Sequence, residues 1–284
     1  MNKGYIKVVL ALLSVAGYMQ NTAFASEYDP IAFPQNEKFK ETIEIREAVY
    51  AAGEALNVAK KHAEDLDGYE LYYEKDRGAV LYFKRVNNTD IGMLDLIIPN
   101  PNSYDDIVDM LWDSNGEKNF DDSFIKGFVS KKYKPNLLIR QQLYQSSIGS
   151  LRRYYNALAN KVELSEDETA IVIVSSDMND HNGVSNSEYV NPIVESANSF
   201  KPDISSQKDI QNKELYKIYA NLVAFFIKKE AGCVKITHIS SIDHSVLPDT
   251  TPETIRAMTA KKMLNIAKLR NVFKNKKPAH SCVV

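Results

Sequence analysis

One arginine and two tyrosines in the middle of the chain carry side chains that could bind a phosphate and an ammonium group. Arg140 alternates with Leu138 and Tyr144 along a predicted strand, and an inward-facing guanidinium there could bind a phosphate through two parallel hydrogen bonds. The rings of Tyr144 and Tyr154 could each face a quaternary ammonium. If the strand turns this face outward, Arg140 is a surface charge and the tyrosines serve ordinary sheet packing, and the residues alone leave both alternatives open.

The candidate apolar contacts lie in a predicted hairpin of sequence NLVAFFIKKEAGCVKITHISSID, which spans residues 221–243. A strand with one face in water alternates apolar and polar residues. The first strand of this hairpin is instead apolar on both faces, from Leu222 to Ile227, so both faces must be covered. Phe225 and Phe226 point to opposite faces, and only one of them can contact a ligand.

Two predicted helices supply the remaining candidates. A short amphipathic helix is predicted from Tyr104 to Trp112, and this single tryptophan belongs either to the core or to a site. The last helix is predicted to begin at Thr251 and to continue for about 23 residues, or roughly 35 Å. Its apolar stripe includes Met258 and Met263, whose flexible side chains suit a surface that packs against a variable apolar partner.

The elements that position these residues follow from hydrophobic periodicity. The sequence predicts a helix over residues 36–67, a three-stranded meander over 69–98 and four longer strands over 124–176. Residues 177–217 are rich in Asn, Asp, Ser, Gly and Pro, which predicts a long polar loop with one short strand at 188–194. This order predicts one α+β domain whose curved antiparallel sheet wraps around the long C-terminal helix. Such a grip leaves an internal tunnel, and its apolar lining needs side chains or a ligand.

The first 25 residues have the features of a secretory signal peptide. Lys3 and Lys7 precede an apolar stretch that is too short to span a bilayer, and Ala23-Phe24-Ala25 has the small-x-small form of a cleavage site. The predicted organisation is a signal peptide over 1–25, a linker over 26–36, one domain over 37–276 and a tail over 277–284.

Composition and motifs exclude several classes of protein. Without the two lysines of the signal segment, 33 of the 35 basic residues remain against 37 acidic ones, which argues against nucleic-acid binding. The sequence contains no G-x-S-x-G, H-E-x-x-H or G-x-x-x-x-G-K-[ST] motif, and the string DMNDHNG around His181 is typical of a hydrated loop. We therefore expect a monomer without enzyme activity, cofactor or metal.

Cys233 and Cys282 could pair, although a chain of this size does not need a disulfide, and Asn87 begins a glycosylation sequon.

Five stretches of the chain resemble a known family. They are MNKGYIKVVLALLSVAGYMQN, IPNPNSYDDIVDMLWDSNGEKNFDD, ALANKVELSEDETAIVIVSSDMNDHNG, YVNPIVESANSFKPDI and the hairpin quoted above. Through them the chain resembles the START (steroidogenic acute regulatory-related lipid transfer) domains and, more closely, the secreted fam-a (PYST-A) proteins of malaria parasites. The resemblance implies a helix-grip fold, a single lipid in an internal tunnel and transfer of phospholipid between membranes.

The resemblance also implies residues that meet the lipid head group. Phosphatidylcholine-transfer members have an R-x-x-W-D stretch whose Arg and Asp meet the phosphate. Here Asp121 is kept, and Glu117 stands in place of the Arg. An R-D-Y feature appears at residues 152–154 with its acid replaced, and Tyr154 would help to cage choline there.

Glu117 cannot bind a phosphate, so we expect Arg140 or Arg152 to supply that contact. The full set of expected lipid-binding residues is Trp112, Asp121, Arg140, Tyr144, Arg152, Tyr154, Phe225, Phe226, Met258 and Met263.

Two functions fit the sequence. The first is a secreted carrier of one phospholipid, with phosphatidylcholine as the candidate, which contacts membranes transiently and exchanges its lipid when the C-terminal helix swings outward. The second is a secreted interaction protein that keeps the fold without lipid transfer and acts through residues 177–217. Secretion by a parasite would bring either protein to the parasitophorous vacuole or the host red cell.

Overall fold

The computed structural model describes residues 34–75, 78–86, 88–145, 151–181, 188–208 and 215–274. The chain divides into two compact units, residues 1–40 and 41–284. The described part of the first unit is the start of one helix, and the sheet and the later helices belong to the second. The predicted signal peptide, Asn87, Cys282 and the predicted C-terminal tail lie outside the described residues.

The described elements alternate between helices and strands in the predicted order. The helices are α1 (Pro34–Glu64), α2 (Tyr104–Trp112), α3 (Pro252–Ile266) and α4 (Leu269–Val272). The strands are β1 (Glu70–Lys75), β2 (Ala79–Val86), β3 (Thr89–Ile98), β4 (Phe124–Lys134), β5 (Leu137–Gln145), β6 (Arg152–Ser165), β7 (Glu168–Val174), β8 (Leu215–Lys217), β9 (Tyr219–Lys229) and β10 (Val234–Asp243).

The described strands form one sheet in the order β1-β2-β3-β10-β9-β7-β6-β5-β4, with the short β8 paired in parallel to β6. The pairings along the main path are antiparallel. β3 pairs with β10 from Gly92 opposite Ser240 to Ile98 opposite Val234, and this pairing joins the N-terminal meander to the C-terminal hairpin. The predicted α+β domain with a large antiparallel sheet is confirmed.

Both faces of the central strand β9 are covered by protein. Phe225 and Ile227 share one apolar core with Met263 of α3 and Ile107 of α2. Phe226, on the opposite face, belongs to a second core. The expectation that β9 is covered on both sides is confirmed.

The second core is closed by α1 through small side chains. Five alanines at helical spacing are buried against the sheet: Ala48, Ala51, Ala52, Ala55 and Ala59. Because these side chains are short, the helix axis can lie close to the strands. The alanine-rich pattern therefore reflects close packing of a helix on a sheet.

The described residues of 177–208 form a long loop as predicted, but the predicted strand at 188–194 is absent and part of the loop is buried. Five residues between 188 and 204 are buried in or beside the second core: Tyr189, Val194, Ala197, Phe200 and Ile204. The Asn191 amide donates to the carbonyl oxygens of Ser175 (3.0 Å) and Asn221 (2.9 Å), and its oxygen accepts from the Ile193 and Val194 amides. Side-chain bonds of this kind satisfy a buried backbone that is neither helix nor strand.

The C-terminal helix is shorter than predicted. Thr251 caps α3 as expected, accepting from the Thr254 amide at 3.3 Å. The helix then ends at Ile266, because Ala267 and Lys268 make tight hydrogen bonds to the carbonyl three residues earlier. This turn leaves the following Leu269 fully buried at the start of α4.

Cys233, at the start of the second hairpin strand, is fully buried and disulfide-bonded. None of the described helices is both long and apolar enough to span a membrane.

Candidate functional site

A small enclosed cavity lies between α3 and the sheet. Its lining is mostly apolar and includes Tyr155, Val223, Phe225, Ile242 and Ile266. Its volume is about 30 Å³, which is room for about two water molecules. Pockets that hold drug-sized ligands measure roughly 300–1,000 Å³. An apolar ligand of that size therefore fits only if the walls of the cavity move apart.

A wider cleft opens beside this cavity along one flank of α3. Its volume is about 560 Å³, and its lining includes Tyr144, Arg153, Met258 and Lys261. Asp121, Ile218 and Lys262 line both the cleft and the enclosed cavity. The cleft has charged side chains among its lining residues, the interior is mostly apolar, and Asp121 and Lys262 lie at the boundary.

At the boundary between the cleft and the enclosed cavity, the ammonium group of Lys262 lies between two carboxylates and an aromatic ring. Lys262 Nζ lies 3.2 Å from Glu117 Oε2 and 3.3 Å from Asp121 Oδ2. The same nitrogen lies 3.6 Å from the centre of the Tyr144 ring, close enough for a cation–π interaction. The Tyr144 hydroxyl is 2.9 Å from Glu117 Oε2, so this cluster joins α3 to two separate parts of the sheet domain.

Asp121 is the most buried member of this cluster. Its side chain has no exposed surface, and burial raises its pKa, but Lys262 and the hydrogen bonds from Ser123 outweigh burial and hold the pKa below its usual value. Asn265 of α3 also donates to it at 3.0 Å. Asp121 therefore stays ionised, and its charge is balanced chiefly by a lysine of the covering helix.

Two histidines near α3 are neutral. Burial lowers the pKa of His238 to about 3; its Nδ1 bonds the Ala224 carbonyl at 2.9 Å, and its ring stacks on Phe225. Burial, with Arg153 and Lys262 nearby, lowers the pKa of His244 to about 3 as well. His244 Nε2 lies 2.9 Å from Thr259 Oγ1, which ties the segment before α3 to the helix.

Arg140 points inward but binds the protein. Its guanidinium donates to the carbonyl oxygens of Leu111 (3.4 Å) and Trp112 (2.5 Å) and lies 4.7 Å from the Trp112 ring. It closes the C-terminal end of α2, where free carbonyl oxygens need donors. Neither Arg140 nor Trp112 lines the two cavities described above.

The structure places two candidates on β6, Arg152 and Tyr154, outside the cavity and the cleft. Arg152 is exposed, and Tyr154 is fully buried on the face away from α3, where its hydroxyl donates to Asp180 at 2.9 Å. Successive residues of a strand point to opposite faces, so Arg153 and Tyr155 take the positions that the sequence assigned to their neighbours. Arg153 lines the cleft and Tyr155 the enclosed cavity.

The other candidates divide between the two faces of the sheet. Phe225 lines the enclosed cavity, and Phe226 lies in the core on the opposite side. Met258 lines the cleft. Met263 is fully buried and seated on Gly92, where a Cβ would come within 2.4 Å of its sulfur. Gly92 thus lets α3 approach the sheet closely.

Sequence reasoning missed Lys262, although a signal was present. Lys262 follows Met258 by four residues and precedes Ile266 by four, so it lies within the apolar stripe of the helix. A cation on such a stripe indicates a buried counter-ion.

Among the residues that the structure describes, no group of three His, Cys, Asp or Glu side chains could hold a metal ion.

Comparisons with known proteins agree on the fold. No protein-family model matches the chain, and no curated protein is similar to it in sequence. Among solved structures, human StAR-related lipid transfer protein 5 is 11% identical over 79% of this chain and 96% of its own, with a TM-score of 0.56. Human STARD10 is 13% identical over 75% and 77%, with a TM-score of 0.53.

A third solved structure is the lipid transfer and protein localization domain of human StarD13. It is 16% identical to this chain, covers 77% of it and 95% of its own length, and has a TM-score of 0.51. The structure therefore has the helix-grip fold of START domains, as the sequence predicted.

Proposed function

We propose that the protein is a lipid carrier that holds a single phospholipid, with the acyl chains between α3 and the sheet and the head group in the cleft. The observation that carries this proposal is that an apolar interior and a wider cleft with charged side chains share lining residues beneath one helix. An amphipathic molecule matches that division. Two proteins of the same fold are named for lipid transfer, which supports the proposal.

Lipid entry beneath α3 requires the helix to leave the sheet, and both apolar and polar contacts attach it. Met263 and Ile266 are buried in the core under the helix. Arg256 binds Asp90 through two hydrogen bonds (3.0 and 3.2 Å), and Lys268, just past the helix, binds Asp122 at 2.6 Å. The Lys268–Asp122 pair is exposed to solvent, and such a pair contributes about 0–1 kcal/mol. We propose that α3 opens at a membrane surface and there admits or releases the lipid.

The predicted signal peptide and the family resemblance extend this proposal to the place where the protein acts. With its predicted signal peptide and its resemblance to fam-a proteins, the mature chain is proposed to be a secreted parasite protein whose domain over 37–276 acts as a monomer. Phosphatidylcholine is the first candidate cargo, on the basis of that resemblance. The parasitophorous vacuole and the host red cell are the proposed compartments.

The alternative function, an interaction protein acting through residues 177–217, receives less support. The described part of that region is largely packed against the sheet, with Val194, Ala197 and Phe200 buried.

A vesicle assay tests the proposed carrier. Donor vesicles containing a fluorescent phosphatidylcholine are mixed with unlabelled acceptor vesicles and the purified mature protein. We expect the protein to accelerate transfer in proportion to its concentration. Transfer at the rate of vesicles alone, with no lipid recovered on the protein, would contradict the proposal.

A further inference from the structure

The ammonium of Lys262 occupies a site that is built to recognise a cation. Two carboxylates and the face of one ring surround it, with Glu117 at 3.2 Å, Asp121 at 3.3 Å and the Tyr144 ring centre at 3.6 Å. A carboxylate gives charge and an aromatic face gives a further attraction that strengthens when water is excluded. The ligand of this site, in the structure described, is a side chain of the protein itself.

Lys262 belongs to the element that must move. If α3 swings away to admit a lipid, its lysine leaves, and the buried Asp121 carboxylate loses its main counter-ion. An unpaired buried charge is strongly unfavourable. A lipid-loaded state that keeps Asp121 away from water therefore needs another cation beside it.

We propose that Glu117, Asp121 and Tyr144 form a binding site for the ammonium group of a zwitterionic phospholipid, and that Lys262 is its built-in substitute. The lysine fills the site while the carrier has no lipid and gives way to the lipid ammonium on loading. This inference rests on the proposed carrier function and names the class of its cargo.

A partner for the phosphate of such a lipid lies next to this site. Arg153 is paired across the strands with Tyr144, and directly opposed side chains lie about 5 Å apart at Cβ. Arg153 lines the same cleft, and its buried Nε has no hydrogen-bond partner among the described residues. An arginine binds phosphate well. The cleft thus offers an anionic and a cationic position side by side, as a zwitterionic head group requires.

The alternative is that Lys262 is only a latch, and substitution tests this directly. Binding to vesicle-derived lipids is measured for two classes: phosphatidylcholine and phosphatidylethanolamine, which carry an ammonium, and phosphatidylglycerol, which does not. Lys262→Met removes the internal competitor and leaves both carboxylates in place. We expect it to raise the preference for ammonium lipids over phosphatidylglycerol by about fivefold or more.

Lys268→Met is the matched control, since Lys268 binds Asp122 outside the cation site. It should leave the ratio between the two lipid classes unchanged. Glu117→Gln keeps the size of the side chain and should lower the ratio, which gives a second test if Lys262→Met folds poorly. A Lys262→Met protein whose affinities for both classes change by the same factor, or not at all, would overturn the inference. A wild-type protein that binds neither class would overturn the carrier function and this inference with it.

Discussion

Phe225 and Phe226 are neighbours in β9 with nearly equal exposure, 7% and 8%, but they face different cores. This makes them a matched pair for locating the lipid. Replacing either phenylalanine by serine removes a large buried side chain and should destabilise the fold by roughly 3 kcal/mol. Only Phe225→Ser also removes a surface of the enclosed cavity, so we expect it to weaken lipid binding about tenfold, with little effect from Phe226→Ser.

The measurement for this pair is lipid binding alongside urea unfolding of both variants. Equal losses of lipid binding from the two variants, at equal losses of stability, would show that the face of the sheet under α3 has no special contact with the lipid.

Acid should destabilise the fold through His238 and His244. Both have pKa values of about 3 in the folded protein, whereas an unfolded histidine titrates near pH 6.5. Between these values the unfolded chain binds more protons than the folded one, so stability falls as pH falls from about 6.5 to 3. At pH 5 the expected loss is about 2 kcal/mol for each histidine.

Urea unfolding at pH 7.5 and pH 5, with imidazole resonances followed by NMR, checks this prediction. His238 and His244 should remain neutral at pH 5 while the protein is folded. Protonation of either imidazole near pH 6.5 in the folded protein would contradict it.

The sequence alone predicted only some of the residue positions in the candidate site. The opposite orientation of Phe225 and Phe226 follows from strand geometry alone, and the structure confirms it. Strand geometry alone does not show whether Tyr154 or Tyr155 faces α3, because β6 is covered on both faces and the two rings are almost equally buried. Alternation cannot identify the inner face of such a strand, and the register with β5 and β7 settles it.

At the scale of elements, the proposed carrier function assigns control of lipid exchange to the attachment of α3. Arg256 and Arg85 both bind Asp90, but Arg256 reaches it from α3, while Arg85 reaches it from the adjacent strand β2. Arg256→Met should therefore weaken the docking of α3 by about 1 kcal/mol, which corresponds to about fivefold faster lipid exchange. Arg85→Met should leave the exchange rate unchanged.

Stopped-flow release of a fluorescent lipid to excess vesicles measures both rates. If both variants exchange at the wild-type rate, α3 is not the moving element, and the entrance must lie elsewhere in the domain.

Elements that form by local pattern were predictable, and those that depend on distant contacts were not. β2 and β5 have the predicted bounds because apolar alternation and turn residues define them. The packed segment 188–204 escaped prediction because its backbone is satisfied by side chains such as Asn191, which bonds residues far along the chain. Its polar composition reflects two roles: Asn191 and Ser196 are buried, whereas Glu188 and Lys201 are exposed to solvent.

At the scale of the whole molecule, the two faces of the sheet have different tasks. α1 and residues 188–204 close one face with fully buried apolar side chains such as Ala51 and Phe200. On the other face α3 carries the charged Lys262 over an interior that could expand. A rigid wall and a detachable cover are what a carrier of an apolar cargo needs.

Native mass spectrometry of the mature protein, secreted from a lipid-rich host and purified without detergent, tests the carrier function most directly. The account expects a monomer with a single phospholipid bound, and fragmentation of the ejected lipid should show an ammonium-bearing head group. A protein that carries no lipid, and acquires none after incubation with phosphatidylcholine vesicles, would contradict it.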